Sequence, residues 1–261
     1  MPSTEPIIRL AVFTGVLTLM ALWEWWFPRR PLSQTRKRRW PANLGLVAFD
    51  TILSRVLFPA GVVGAALLAE GRGWGLFNVV AAPLWLAAAA SVVLLDLVIF
   101  AQHVLFHRVP ALWRLHRVHH ADLDFDVTTG LRFHPVEIVL SMLIKIALVL
   151  LIGAPAAAVL AFEVLLNASS MFTHGNVRLP RGLDRTVRWL LVTPEMHRVH
   201  HSIIRQETDS NFGFNLSVWD RLFRTYRREP AAGHEAMTIG IGAFRDPREL
   251  ALHRLLLQPL R

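Results

Sequence analysis

The sequence predicts an all-α protein: a polytopic membrane helical bundle with a cytoplasmic, histidine-rich helical cap. Three observations predict it. Apolar residues make up 53% of the 261-residue chain, above the roughly 45–50% usual in soluble domains. They gather into long blocks of membrane-spanning size. The cationic residues, which leave a net charge of +9, sit beside those blocks, and most of the twelve histidines are clustered.

Residues 7–27 are long enough to cross a bilayer at ~1.5 Å per residue. The basic region ahead of them is Arg9 alone and no small-residue cleavage site follows, so they read as a retained helix rather than a cleaved signal. Glu24-Trp25-Trp26 marks its interfacial end. Residues 28–41 carry Arg29, Arg30, Arg36, Lys37, Arg38 and Arg39, which places this loop in the cytoplasm by the positive-inside rule. Residues 44–69 form the second apolar segment, with Asp50 and Arg55 suggesting that its first turns are interfacial. Residues 70–78 are short and nearly neutral, as expected outside, and 83–106 run back to the cytoplasm. After a polar stretch, 107–134, two apolar runs follow, 136–152 and 154–171, split by Gly153-Ala154-Pro155. Each is near the lower length limit for a span, so they form a full hairpin or a re-entrant pair. Either way the chain returns to the cytoplasm, where 173–261 form a polar, basic cap. The expected organisation is 1–82 as N-terminal membrane helices and basic loop, 83–228 as the catalytic region, and 229–261 as a tail.

The absence of cysteine excludes disulfides, thiolate zinc sites, iron–sulfur clusters and thiol nucleophiles. A basic chain could bind nucleic acid, but here the basic residues flank apolar segments rather than form a binding face. No nucleic-acid partner is expected. Gly-rich phosphate loops are absent, as is a Ser-His-Asp arrangement.

The chemistry lies in the histidines. His103 and His107 form an HxxxH pair at the end of the third span, on one helical face. His116, His119 and His120 form HxxHH, and His197, His200 and His201 repeat it within His-Arg-Val-His-His. Positions i, i+3 and i+4 share a face, so each triplet can present three imidazoles to one region. With 12 histidines in 261 residues, chance would give HxxHH roughly 0.03 times per chain. Clustered imidazoles repel when protonated and leave nitrogens unsatisfied when neutral, unless an electrophile holds them. Imidazole is the commonest metal ligand and suits Fe, Zn and Cu. Eight nitrogens exceed one ion's needs and fit two, and this surplus favours a redox pair over a zinc hydrolase, which manages with three ligands. His174, after the last apolar run, reads as a ninth ligand or a capping residue. His134 reads as a ligand or as support for one. His234 and His253 stand alone in the tail.

These motifs resemble the fatty acid hydroxylase/sterol desaturase superfamily of membrane histidine-rich di-iron oxygenases. The resemblance rests on HVLFH (103–107), HRVHH (116–120) and HRVHH (197–201), in that order. It is extended by Thr193-Pro194-Glu195-Met196, Asn211-Phe212-Gly213, Trp219-Asp220-Arg221-Leu222-Phe223 and Thr225-Tyr226, and it covers about residues 92–227. It implies two Fe ions, dioxygen as co-substrate, external electrons, and hydroxylation or desaturation of a lipid, fatty acyl or sterol-like C–H bond. The implied metal ligands are His103, His107, His116, His119, His120, His197, His200 and His201, with His174 matching a further recurring histidine. His134 matches only part of the family. No haem-binding, cytochrome-like domain is expected in the chain, so electrons are expected from a separate ferredoxin, cytochrome or reductase. Zinc could substitute for iron. The rival readings are a zinc-dependent membrane hydrolase and a metal transporter. The transporter would need its histidines near the bilayer midplane, whereas these sit at span ends and in polar loops.

Asp96, two turns before His103, reads either as a partner to an imidazole N–H or as a helix–helix hydrogen bond. Glu163 invites the same two readings. Asn211, Trp219 and Asp220 are expected to fix the cap, and Asp122, Asp124 and Asp126 to lie on a solvated loop.

Overall fold

A computed structural model describes residues 4–261; the first three residues of the expected N-terminal region lie outside the described residues. The described chain is helical, with three isolated β-bridges and no strand ladder. Its long helices are α1 (Glu5–Trp26), α2 (Arg36–Leu57), α3 (Gly61–Arg72), the single turn α4 (Leu76–Val79), α5 (Leu84–Arg108), α6 (Pro110–His120), α7 (Pro135–Ile152) and α8 (Ala156–Thr173). The cap adds short helices: α9 (Arg181–Val187), α10 (Pro194–His200), α11 (Arg205–Thr208), α12 (Val218–Leu222), α13 (Gly233–Ala236) and α14 (Leu252–Leu257).

Five segments are long and apolar enough to cross a membrane: Glu5–Trp26, Arg36–Val79, Leu84–Arg108, Pro135–Ile152 and Ala156–Thr173. Their outer faces leave Ile7, Leu10, Ile52, Val56, Leu84 and Leu151 exposed. So much exposed apolar surface suits contact with lipid rather than water. The chain is thus a multi-pass membrane protein.

The second segment differs from the single apolar run expected. Its helix starts earlier, at Arg36, so the basic cluster forms the first turns of α2 and Asp50 lies well inside the helix. It is also interrupted. Phe58 ends α2 ahead of Pro59, as the residue before proline is disfavoured in the α region. The chain resumes as α3, which packs on α7 and α8.

One end of the bundle has a dry core in which Val62 and Ala66 of α3 meet Leu95 and Ile99 of α5, Val149 of α7 and Phe162 of α8. There the α7–α8 turn meets the α3–α4 turn. A Cβ on Gly75 would lie 2.1 Å from the Gly153 nitrogen, so two positive-φ glycines permit the approach. At the other end α5 and α8 deliver His103, His107 and His174, and the cap closes over them. Glu24 of α1 anchors the cap by accepting the Val127 and Asn176 amides at 2.7 and 2.8 Å.

Candidate metal centre

The eight clustered histidines and His174 converge in two buried groups. His103, His107, His116, His120 and His200 form one; His119, His174, His197 and His201 form the other. Within each group one ligand nitrogen per residue lies within 4.8 Å of all the others. Each HxxHH triplet keeps its three rings together in one region but divides them between the two groups. On α6, His116 and His120 are i,i+4 and share a face, while His119 is turned about 100° per intervening residue away from His120. On α10 the division is reversed: His197 and His201 go to the second group and His200 to the first.

The protein fixes several of these rings through Nδ1. His103 donates to the Phe212 carbonyl at 2.8 Å, His200 to the Ser210 carbonyl at 2.7 Å, and His174 to the Ser170 carbonyl at 2.7 Å. The Nδ1 of His116 lies 2.7 Å from Glu137 Oε1, and that of His107 a longer 3.4 Å from Asp209 Oδ1. A carbonyl only accepts, so in His103, His174 and His200 the proton sits on Nδ1 and Nε2 carries a lone pair. The Nε2 atoms of His103, His107, His116, His120 and His200 are buried and make no hydrogen bond among the described residues. In the second group the Nε2 atoms of His197, His119 and His201 lie 3.0, 3.1 and 3.2 Å from His174 Nε2. One lone pair cannot satisfy three neighbours. Both groups therefore place more nitrogen lone pairs together than donors can serve, which is the donor set of a metal site.

Burial also favours the neutral form of His119, His120, His174, His197, His200 and His201. It drives His174 down to about 3, against the Ser170 hydrogen bond, which raises it. Burial, with the neighbouring His116, likewise takes His200 to about 3. His119, His120, His197 and His201 are held well below the usual 6.5 by burial and by one another. A neutral imidazole is the form that ligates metal.

Close packing supports the second group. A Cβ at Gly130 would come within 2.4 Å of the Ser170 oxygen and 3.0 Å of His174 Nδ1. His119 stacks on Phe133 with centroids 4.5 Å apart and planes at 10°.

Asp96 does not reach an imidazole. It accepts from Asn215 Nδ2 at 2.7 Å, the Leu216 amide at 3.1 Å and Trp219 Nε1 at 2.8 Å. Asp220 meanwhile takes the Phe212 and Gly213 amides at 2.7 and 2.8 Å. The two acids hold from both sides the loop that offers the Phe212 carbonyl to His103. Asn211 bonds the Met196 and Arg227 carbonyls. His134 belongs to neither group: its Nδ1 caps α7 by accepting the Val136 amide at 3.2 Å, and its Nε2 meets the Leu256 carbonyl at 3.2 Å. It seats the turn that presents Glu137. His234 is buried against Glu229 at 2.8 Å, and His253 is exposed.

Asp122, Asp124 and Asp126 are not solvated, as expected from sequence, but buried. Arg39 reaches Asp122 at 2.7 and 2.8 Å and Asp126 at 2.5 Å, and Asp124 takes the Ser33 and Gln34 amides. Burial alone would raise Asp122, but the adjacent Arg39 and Arg132 guanidiniums outweigh it and hold the carboxyl well below its ordinary range. Glu163 is likewise paired, with Lys145 and Arg9, both at 2.7 Å.

Glu137, Asp209 and the Ser170, Ser210 and Phe212 carbonyls are the site residues that sequence reasoning missed. Glu137 had a signal, a lone acid in the first turn of an apolar helix; the carbonyls had none.

A cavity of about 660 Å³ opens from His103 and His116 and runs between α1, α2, α3, α7 and α8. Ile99, Phe106, Met142, Leu160 and Phe214 line much of it.

Fold and site together define a multi-pass membrane protein with a buried polyhistidine centre suited to two metal ions. The family model for fatty acid hydroxylase matches residues 88–225, and the chain belongs to that family. It is 32% identical to the ornithine lipid hydroxylase OlsE of Rhizobium tropici over 153 residues, 57% of this chain and 44% of that protein. It is 30% identical to the alkylglycerol monooxygenase of Homo sapiens over 154 residues, 59% of this chain and 33% of that protein. The Xenopus tropicalis alkylglycerol monooxygenase is 28% identical over 155 residues. The chain thus spans less than half the length of these curated relatives. No solved structure matches.

Proposed function

We propose that the protein is an O2-dependent di-iron oxygenase that hydroxylates, or desaturates, a C–H bond of a membrane lipid with electrons from a separate donor. The observation that carries this reading is the pair of histidine groups, whose ligand nitrogens converge in burial while the Nδ1 atoms of His103, His107, His116, His174 and His200 lie against protein acceptors. The five-histidine group would hold one iron and the four-histidine group the other. Nine imidazole nitrogens without a carboxylate ligand favour a redox ion over hydrolytic zinc, which needs fewer ligands. The relatives' names, a lipid hydroxylase and monooxygenases, support the reaction type.

Bound iron supplies the redox chemistry that activates dioxygen against an unactivated C–H bond. The chain itself does the rest. Phe212, Ser210 and Ser170 hold the rings of His103, His200 and His174 through their carbonyls. Glu137 orients His116 and makes its Nε2 a stronger donor. The apolar cavity wall binds a hydrocarbon chain against the five-histidine group and excludes water there. The membrane face bearing the histidines is the cytoplasmic one, because Arg29, Arg30 and the basic first turn of α2 lie at that end.

The test is metal content per chain after purification from iron-replete cells, in parent, His119→Ala and His200→Ala. Near two irons in the parent, lost in both variants, supports the reading. Two zincs, or no stoichiometric metal, overturns it.

A further inference from the structure

Four carboxylates line the cavity, and they are not in equal condition. Glu5 and Glu163 belong to an ion network with Arg9 and Lys145 that is complete within itself. Glu137 has one oxygen on His116, while its Oε2 is buried and unpartnered. Asp50, on α2, is 8% exposed and makes no hydrogen bond or ion pair among the described residues; its Oδ1 is buried. A membrane helix does not keep an unsatisfied buried acid without a use, since the isolated carboxylate is costly there.

Its placement indicates the use. Val47, Asp50, Thr51 and Ser54 follow helical spacing and all line the cavity; Glu137, Ser141 and Lys145 do the same on α7. Two stripes rich in polar groups therefore run along a chamber to which α5 and α8 add apolar surface, through Ile99, Phe106, Leu160 and Leu166, beside the polar Gln102, Glu163, Asn167 and Ser170. Such a chamber fits an amphiphile, with its chain on the apolar wall and its polar end on the stripe. When ionised, the free groups at the stripe, Asp50 and Glu137 Oε2, only accept, so a polar end that carries donors satisfies them.

Resting on the lipid-oxygenase reading, we propose that Asp50 is a specificity-determining residue that binds the hydrogen-bond-donating head, hydroxyl or ammonium, of a long-chain amphiphilic substrate, with Glu137 Oε2 as second acceptor. Glu137 Oε1 is 2.7 Å from His116, so a head held there sets the carbons next to it, rather than the far end of the chain, against the five-histidine group.

The test measures binding, which needs no turnover. In lipid nanodiscs, 1-O-hexadecylglycerol, hexadecylammonium and the donor-free 2,3-di-O-methyl ether of hexadecylglycerol compete against tritiated 1-O-hexadecylglycerol. The parent is expected to prefer at least one donor-bearing probe over the dimethyl ether by tenfold or more, and whichever of the two is preferred names the head chemistry. Asp50→Ala should reduce that ratio below threefold. Asp50→Asn, which keeps the shape of the side chain, should abolish an ammonium preference and weaken a hydroxyl one. Equal binding of all three probes by the parent overturns the proposal without recourse to any variant, and so does an unchanged ratio in Asp50→Asn. Iron content and O2-dependent turnover are measured on the same preparations. A donor preference without iron would leave Asp50's role standing and sink the oxygenase reading; iron and turnover without the preference would do the reverse.

Discussion

Replacing Arg39 with methionine removes the cation held between Asp122 and Asp126. The guanidinium is fully buried, as are both carboxylates. It donates to Asp122 through Nε and Nη2, to Asp126 through Nη1, and to Thr129 Oγ1 at 3.0 Å. Methionine fills much of the volume and donates nothing. The nearest remaining cation is Arg132, 4.0 Å from Asp122, and Asp126 keeps only neutral donors such as Trp40 Nε1 at 3.2 Å. Breaking a buried pair from one side costs about 3–5 kcal/mol, because an uncompensated charge stays behind. The same clamp joins α2 to the segment that follows His120, so the variant should also retain metal less well. Equilibrium denaturation in detergent, followed by tryptophan fluorescence, reads the loss directly. The triple variant R39M/D122N/D126N should recover most of it, since neutral groups bear burial better than unpaired charges. An R39M protein within about 1 kcal/mol of the parent would refute this account and mean that water or another cation reaches the acids.

Glu137→Gln should weaken metal binding at the five-histidine group by about 10–100-fold, so that chelator titration removes one ion well before the other; simultaneous loss would contradict the assignment of Glu137 to that group. Asp96→Ala frees the amides of the 215–216 segment and should lower the thermal midpoint while leaving metal stoichiometry near the parent value, as checked by metal analysis of the folded fraction. Stability of the metal-free protein should depend on pH through His174 and His200, whose folded values near 3 lie below an unfolded value of about 6.5. Below 6.5 the unfolded chain binds protons that the folded chain does not. Their contribution is therefore full above about 6.5 and is lost as the pH falls from there toward 3, which unfolding measurements between pH 7.5 and 4.5 would detect.

Much of this protein is legible in its sequence because membrane insertion imposes a coarse code. Long apolar blocks, flanking arginines and histidines at helical spacing suffice to mark the five apolar segments, the cap and eight clustered imidazoles. The local rule fails where a contact is remote. Asp122 and Asp126 alternate with apolar residues like any polar loop, and nothing near them announces Arg39, which lies 83 and 87 residues away. Asp96 sits near the face of His103, yet serves a loop about 120 residues later. The division of each HxxHH triplet depends on how α6 and α10 cross above α5 and α8, and so does the choice of the Ser210 and Phe212 carbonyls as ring anchors. Backbone carbonyls carry no sequence signature at all. Helix periodicity determines which side chains share a face; only packing decides what that face meets, because charge burial and lone-pair convergence are properties of neighbours distant in the chain.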